Sequence, residues 1–334
     1  MNKNISPERL PAINFDLTKI NRPMGKLYFF VLCLLPVFAV SCDTASEKTI
    51  APSSVPLADP NILLYDGVYY AYGTNPDNQI GVYTSRNLRT WKTAHEALPT
   101  DGMWGEHLFW APEVYYIKER GRFLMYYSSD DRICAAWSDS PLGPFVQDEK
   151  KTMLDERCVD NTLFMNDDGQ AYIFFNKFDD GMTIWGAELE NDLVTIRQET
   201  LTRCLCTTQT WEEVWPRVIE GAFVVKHKGI YYMIYSGNSH VSQYYGIGFA
   251  TATSPLGPWT KYDQNPVLQK PGNLLGTGHS TLFRDKRGRL KIVFHAHHDD
   301  KGFHPRAMYT ADISFSDDSI PVIHVSDVAS ARLK

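Results

Sequence analysis

The sequence predicts an all-β chain folded as a five-bladed β-propeller with four-stranded blades. Three observations carry that expectation. A segment made of an apolar run, a polar turn holding glycine and a second apolar run recurs five times. A second motif, SPLGPF from Ser140 and SPLGPW from Ser254, with TSRNLRTW from Thr84 as a looser copy, falls between those segments. No helix-length amphipathic pattern separates the apolar runs, which sets aside the α/β folds.

The five segments are DPNILLYDGVYYAYG from Asp59, APEVYYIKERGRFLMYYSS from Ala111, DNTLFMNDDGQAYIFFNK from Asp160, EGAFVVKHKGIYYMIYSG from Glu220 and HSTLFRDKRGRLKIVFHAH from His279. Each reads as a β-hairpin, with Gly67, Gly121, Gly169, Gly229 and Gly288 supplying the positive φ of the turn. The motif between them adds further strands, giving roughly four strands in each period of about fifty to sixty residues, the pattern of propeller blades. Second strands such as IYYMIY are apolar at almost every position. Strands covered on both faces by neighbouring blades have this composition, whereas a sandwich or barrel would alternate more cleanly.

Composition agrees with a large globular unit. The chain has 334 residues, 43% hydrophobic, 22% charged and 13% aromatic, which excludes disorder, collagen-like repeats and coiled coil. The net charge of −6 and the absence of a basic tract argue against a nucleic-acid partner. Residues 27–40 (LYFFVLCLLPVFAV) are apolar throughout, short of the roughly 20 residues of a spanning helix, and preceded by Lys26. With the small-residue ending AVSC they read as a secretory signal over residues 1–41, whose true start is expected at Met24. Cys42 stands where a bacterial lipobox carries its lipid, so residues 42–56 read as a lipoprotein tether and 57–334 as the propeller. An exported, periplasmic or cell-surface lipoprotein is expected, membrane-bound only through Cys42 and monomeric. Cys134, Cys158, Cys204 and Cys206 remain in the folded part; exported proteins permit disulfides, and isolated buried thiols are the alternative. The C-x-C of Cys204 and Cys206 lacks two further ligands for zinc.

In a propeller the innermost strand of each blade lines the axis, and equivalent positions converge at one end. Here those positions are read as Asp59, Ala111 (with Glu113 two residues on), Asp160, Glu220 and His279. Carboxylates facing one funnel repel, a cost that function explains better than structure. Glycoside hydrolysis asks for this set: one carboxylate activates water, a second arrives protonated to give its proton to the leaving oxygen, and a third negative group raises the donor's pKa.

At these residues the chain resembles glycoside hydrolase family 43, five-bladed propellers acting on arabinose- and xylose-containing glycans. The shared marks are ADP (58–60), WAPEV (110–114), VDNTLF (159–164), IEGAF (219–223) and GHSTLF (278–283), spread in order over the chain after the signal. The resemblance implies Asp59 as general base, Glu220 as general acid and Asp160 as the group that tunes and orients it. It further implies inversion at the anomeric carbon, which suits a base and acid about 6.5–9.5 Å apart. Trp110, His279 and Arg306 are implied substrate contacts, and His279 is also the place where calcium or a water cluster would approach the axis. No redox or nucleotide cofactor is implied, and calcium would be structural or electrostatic.

Other residues compete for a role. Glu113 is acidic and near the axis but shifted by two along its strand, and the family treats its motif as structural. His295 to Asp300 (HAHHDD) puts two imidazoles on one strand face, as zinc would like, without a separate activating carboxylate. Trp104, Phe109, Trp110 and Trp215 are read either as sugar-stacking surface or as packing. The expected substrate is an oligo- or polysaccharide bearing terminal α-L-arabinofuranosyl residues, with β-D-xylosyl next. The alternatives are a non-catalytic carbohydrate-binding propeller, a family member acting on galactan or as an endo-arabinanase, and a fructan-acting propeller whose Arg-Asp-Pro motif WAPE does not match.

Overall fold

The computed structural model describes residues 54–75, 77, 79–213 and 217–334; the signal segment, Cys42 and Trp215 lie outside them. Blade 1 is built from β1 (Ala58–Tyr65), β2 (Val68–Thr74), β3 (Ile80–Ser85) and β4 (Thr90–Leu98), and blade 2 from β5 (Trp110–Ile117), β6 (Arg122–Ser129) and β7 (Arg132–Ser138). Blade 3 comprises β8 (Cys158–Met165), β9 (Ala171–Lys177), β10 (Thr183–Glu188) and β11 (Thr202–Leu205). Blade 4 comprises β12 (Ile219–His227), β13 (Ile230–Gly237), β14 (Gly246–Ala252) and β15 (Thr260–Lys261). Blade 5 comprises β16 (Gly278–Arg284), β17 (Leu290–His297), β18 (Arg306–Phe315) and β19 (Pro321–Ile323), with β20 (Ala329–Ser330) pairing β18. All five expected hairpins are present, and the five sheets form the expected five-bladed propeller.

Three blades depart from four strands, blade 5 because β20 adds to it as a fifth. Blade 2 has three, because after Ser138 the chain makes one isolated bridge, Trp137 to Val146, and then runs into the charged stretch Asp148 to Lys151, which offers no apolar face to a fourth strand. Blade 1 has five, because β21 (Arg332–Leu333) adds parallel to β4 and closes the ring. Ser54 to Pro56, assigned to the tether by sequence, join the same closure. Val55 is fully buried, donates its N–H to Ala331 O at 3.0 Å and accepts the Met308 N–H at 3.1 Å.

The core is divided into wedges, one between each pair of adjacent blades. Tyr72, Phe109, Tyr127 and Phe145 fill the wedge between blades 1 and 2, and Leu124, Tyr126, Ile173 and Phe175 that between 2 and 3. Phe174, Ile219 and Tyr235 fill the next, Ile247, Phe294 and Ala307 the fourth, and Trp91, Val293 and Met308 the closing one. Second strands are buried on both faces as their composition requires; β13 is buried from Tyr231 to Gly237. Gly143-Pro144 and Gly257-Pro258, the tails of the two SPLGP copies, are both cis.

Candidate active site

The first strand of every blade breaks register near its start, between Ala58 and Asn61, Trp110 and Glu113, Val159 and Thr162, Glu220 and Phe223, and Gly278 and Thr281. Each break is a bulge holding one left-handed residue: Asp59 (φ 48°), Ala111 (43°), Asp160 (60°), Gly221 (59°) and His279 (47°). Glu220 is therefore not at the position of Asp59 and Asp160, as the hairpin alignment had it, but one residue earlier, level with Ala58, Trp110, Val159 and Gly278. The reason lies in the bulge. A Cβ on Gly221 would sit 3.1 Å from His279 Cγ, in addition to the positive φ, so glycine takes the crowded left-handed site and the acid stands beside it.

The bulges expose amide N–H groups, and the second strand of the preceding blade caps them. Thr74 Oγ1 accepts from Ala111 N–H (2.9 Å), Ser128 Oγ from Asp160 N–H (2.9 Å), Ser236 Oγ from His279 N–H (2.7 Å) and His295 Nδ1 from Asp59 N–H (3.1 Å). The interface between blades 3 and 4 differs. There Asn176 donates to Ile219 O at 2.6 Å, and the Gly221 N–H is given to the Asp160 carboxylate. Asp160 is thereby tied to the backbone beside Glu220.

Asp59 is buried, and its two oxygens are taken up differently. Oδ1 accepts from Arg306 Nη1 at 2.8 Å, with His279 Nδ1 and His295 Nδ1 each 3.3 Å away; Oδ2 accepts from Thr74 Oγ1 at 2.6 Å. Burial pushes its pKa up, but the Arg306 guanidinium and the surrounding donors outweigh it and hold the carboxyl well below its ordinary range. The Asp59 N–H fixes His295 Nδ1 as an acceptor, so its short approach to the carboxylate is a contact and not a hydrogen bond. Burial keeps His295 neutral, with its pKa pushed down to about 3.

Glu220 has the opposite electrostatics. It too is buried, its Oε1 accepts only from Tyr245 Oη at 2.8 Å, and its pKa is pushed up to about 7, by burial first and by the Asp59 charge next. Asp160 is raised well above its ordinary range by burial, then by Glu220 and Asp59. Asp160 and Glu220 titrate as a pair: the first proton leaves with Asp59 opposing it, and mutual repulsion holds the second to higher pH. Over the intervening range the pair keeps one proton, facing an ionised Asp59. That separation of protonation states is what acid–base cleavage uses.

The remaining candidates fall into place. Arg306 is buried, and its Nη1 is committed to the Asp59 carboxylate. Trp110 is half-buried, level with Glu220 on its own blade. Phe109 is fully buried and stacked on Tyr127, and Trp104 packs into the blade 1–2 wedge. Glu113 accepts from the Tyr115 and Thr162 hydroxyls below the acids, and burial pushes it to about 7. In HAHHDD, His297 Nε2 meets His240 O at 2.7 Å while His295 serves Asp59. Among the described residues no three His, Cys, Asp or Glu side chains converge to hold a metal. The carboxylate beside His279 already carries a guanidinium, so the residues present do not form a calcium cage of six to eight oxygens. Cys134, Cys158, Cys204 and Cys206 are all free thiols. Sequence reading missed Thr74, Ser236, Tyr245 and the true task of His295. The signal available was the polar residue ending each apolar second strand.

The chain is similar to known proteins over most of its length. The model of Glycosyl hydrolases family 43 matches residues 53–321. A solved structure described as an endo-1,4-beta-xylanase from Bacteroides thetaiotaomicron is similar with a TM-score of 0.82 at 39% identity, covering 84% of this chain and 98% of that one. The chain is 24% identical over 263 residues to a beta-D-galactofuranosidase of Aspergillus niger, covering 71% of this chain and 73% of the relative. To an arabinoxylan arabinofuranohydrolase of Bacillus subtilis it is 25% identical over 308 residues, 75% of this chain but 59% of that longer protein.

Proposed function

Because the chain belongs to glycosyl hydrolase family 43, we propose that it releases terminal pentose residues, α-L-arabinofuranosyl first and β-D-xylosyl next, from polysaccharide side chains with inversion. The observation that carries this reading is the opposed state of two buried carboxyls in one funnel, Asp59 ionised on Arg306 and Glu220 raised to about 7. Asp59 takes a proton from a water whose oxygen attacks the anomeric carbon. The bond from that carbon to the leaving oxygen breaks on the opposite face, its electron pair stays with the oxygen, and Glu220 supplies the proton. Asp160 is held by the Gly221 N–H so that its charge, once present, opposes ionisation of Glu220. Trp110, half-buried and level with Glu220 on its own blade, is the aromatic face assigned to a sugar ring.

The names of the relatives span furanosidic and xylan substrates, which supports a pentose or furanose ring in the pocket without choosing among them. Endo-action and galactan remain the competing substrate readings. A purely carbohydrate-binding role is disfavoured because all three acids are in place. Chromogenic arabinofuranosides, xylosides and galactofuranosides, tested beside branched arabinan and xylan, decide the sugar. Proton NMR of the first-formed sugar should show inverted configuration; a retained anomer would sink the assignment of Asp59 as base. For the exported, Cys42-lipidated form, Cys42→Ala should move the protein from the membrane to the soluble fraction, and unchanged fractionation would remove the anchor.

A further inference from the structure

Tyr245 precedes β14 in the connection from β13 and is fully buried. A buried tyrosine hydroxyl needs a partner, and this one has chosen Glu220. We propose that Tyr245 is a positioning residue for proton delivery: its hydroxyl binds Glu220 Oε1, leaves Oε2 to carry the transferable proton, and stabilises the carboxylate that forms as the proton departs. This rests on the reading of Glu220 as general acid.

The direction of the hydrogen bonds is set from the backbone. The His279 N–H can only donate, and it donates to Ser236 Oγ at 2.7 Å. The Ser236 hydroxyl lies against Tyr245 Oη, so its own proton passes to that oxygen, and the single Tyr245 proton is committed to Glu220 Oε1 at 2.8 Å. A neutral carboxyl accepts on its carbonyl oxygen, so the acidic proton is directed to Oε2. The ring is fixed as firmly as the hydroxyl. It stacks on His295 at 5.6 Å between centroids and 16° between planes. A Cβ on Gly278 would fall 2.1 Å from Tyr245 Cε1, so the glycine of GHSTLF leaves the room this ring occupies. His295 also accepts the Asp59 N–H, which places the supports of base and acid in one stack.

The hydrogen bond strengthens as its acceptor becomes charged, so it contributes more in the transition state than in the ground state. The charged and titratable groups facing Glu220 are Asp59 from β1, Asp160 from β8 and Arg306 from β18, with His279 and His295 behind Asp59. Tyr245→Phe alters none of these.

With Tyr245→Phe, kcat/KM on an alkyl or natural glycoside should fall roughly tenfold. The loss should nearly vanish on an aryl glycoside whose phenol departs without protonation. The alkaline limb of the pH–rate profile should move to higher pH, because the lost bond favoured the ionised form. In a Glu220→Gln background the same substitution should add little. If Tyr245→Phe fails to fold, 3-fluorotyrosine at 245, a stronger donor of the same shape, should move the limb to lower pH. Equal losses on both substrates with an unmoved limb would make Tyr245 a packing residue and overturn the proposal. A Glu220→Gln enzyme without leaving-group dependence would instead remove the acid role of Glu220 and, with it, this inference.

Discussion

Glu212 and Glu220 are both buried glutamates of the blade 4 region, and each receives a tyrosine hydroxyl on Oε1, from Tyr235 at 2.7 Å and from Tyr245 at 2.8 Å. Their remaining partners differ. Glu212 also takes Lys261 Nζ at 2.7 Å on both oxygens and the N–H groups of Thr208 and Gln209 on Oε2. Its charge is fully matched, and it pins the loop before β12. Among the described residues Glu220 has only the phenol as a donor, with Asp59 and Asp160 as neighbours, and burial pushes its pKa up to about 7. Both carboxyls are buried, so the contrast between them lies in the number of donors each one meets. Asp59 combines the two situations: cation-paired like Glu212, it is nonetheless set at the axis.

Breaking the cation-paired member at the axis should have the largest effect. Asp59→Asn removes the carboxylate proposed to take the water proton, and kcat should fall by roughly 10²–10⁴-fold on every substrate, activated or not. A loss confined to poor leaving groups would exchange the roles of Asp59 and Glu220. The next effect falls on stability. Glu212→Gln leaves Lys261 buried without its anion, at a cost of ~3–5 kcal/mol, read as a lower thermal midpoint with activity kept in the folded fraction. Glu220→Gln should cost no such stability, since it relieves repulsion; equal destabilisation would erase the contrast.

A smaller effect concerns the coupled pair. Asp160→Asn leaves Glu220 to titrate alone, without the repulsion that holds the pair's second proton, so the alkaline limb should move to lower pH, towards about 7. An unmoved limb would break the coupling. The smallest is a change of slope. Glu113 is raised to about 7, so the native state binds a proton that the unfolded chain releases near its ordinary 4.5, and stability declines as pH rises across that window. Glu113→Gln should flatten the decline seen in urea midpoints from pH 4.5 to 7, without abolishing it, because Glu220 and Asp160 contribute the same sign.

Much of this arrangement was legible in the sequence. The repeated hairpins are a matter of period and turn chemistry, which local residues dictate, and the acids stood out because nothing in packing requires them. The offset of Glu220 was less visible, since a bulge displaces the register without changing the apolar run. The clue was Gly221, the residue type a left-handed site prefers. The supports around the acids were hidden for another reason. Thr74, Ser236 and His295 act across blade interfaces, Asp59 and His295 being joined over the ring closure, and no local pattern encodes a partner more than two hundred residues away, while Tyr245 reaches Glu220 from a connection within blade 4. The strand count of blade 2 was obscured likewise, because SPLGPF looks the same whether or not a strand follows it.

The central claim is that Glu220 gives a proton to the leaving oxygen, and leaving-group dependence tests it most directly. Glu220→Gln should be measured on glycosides of one sugar whose leaving-group pKa spans alkyl alcohols to dinitrophenol. The account predicts a loss of roughly 10²–10⁴-fold with alkyl leaving groups that shrinks to near unity with dinitrophenol. A loss of the same size along the whole series would contradict it.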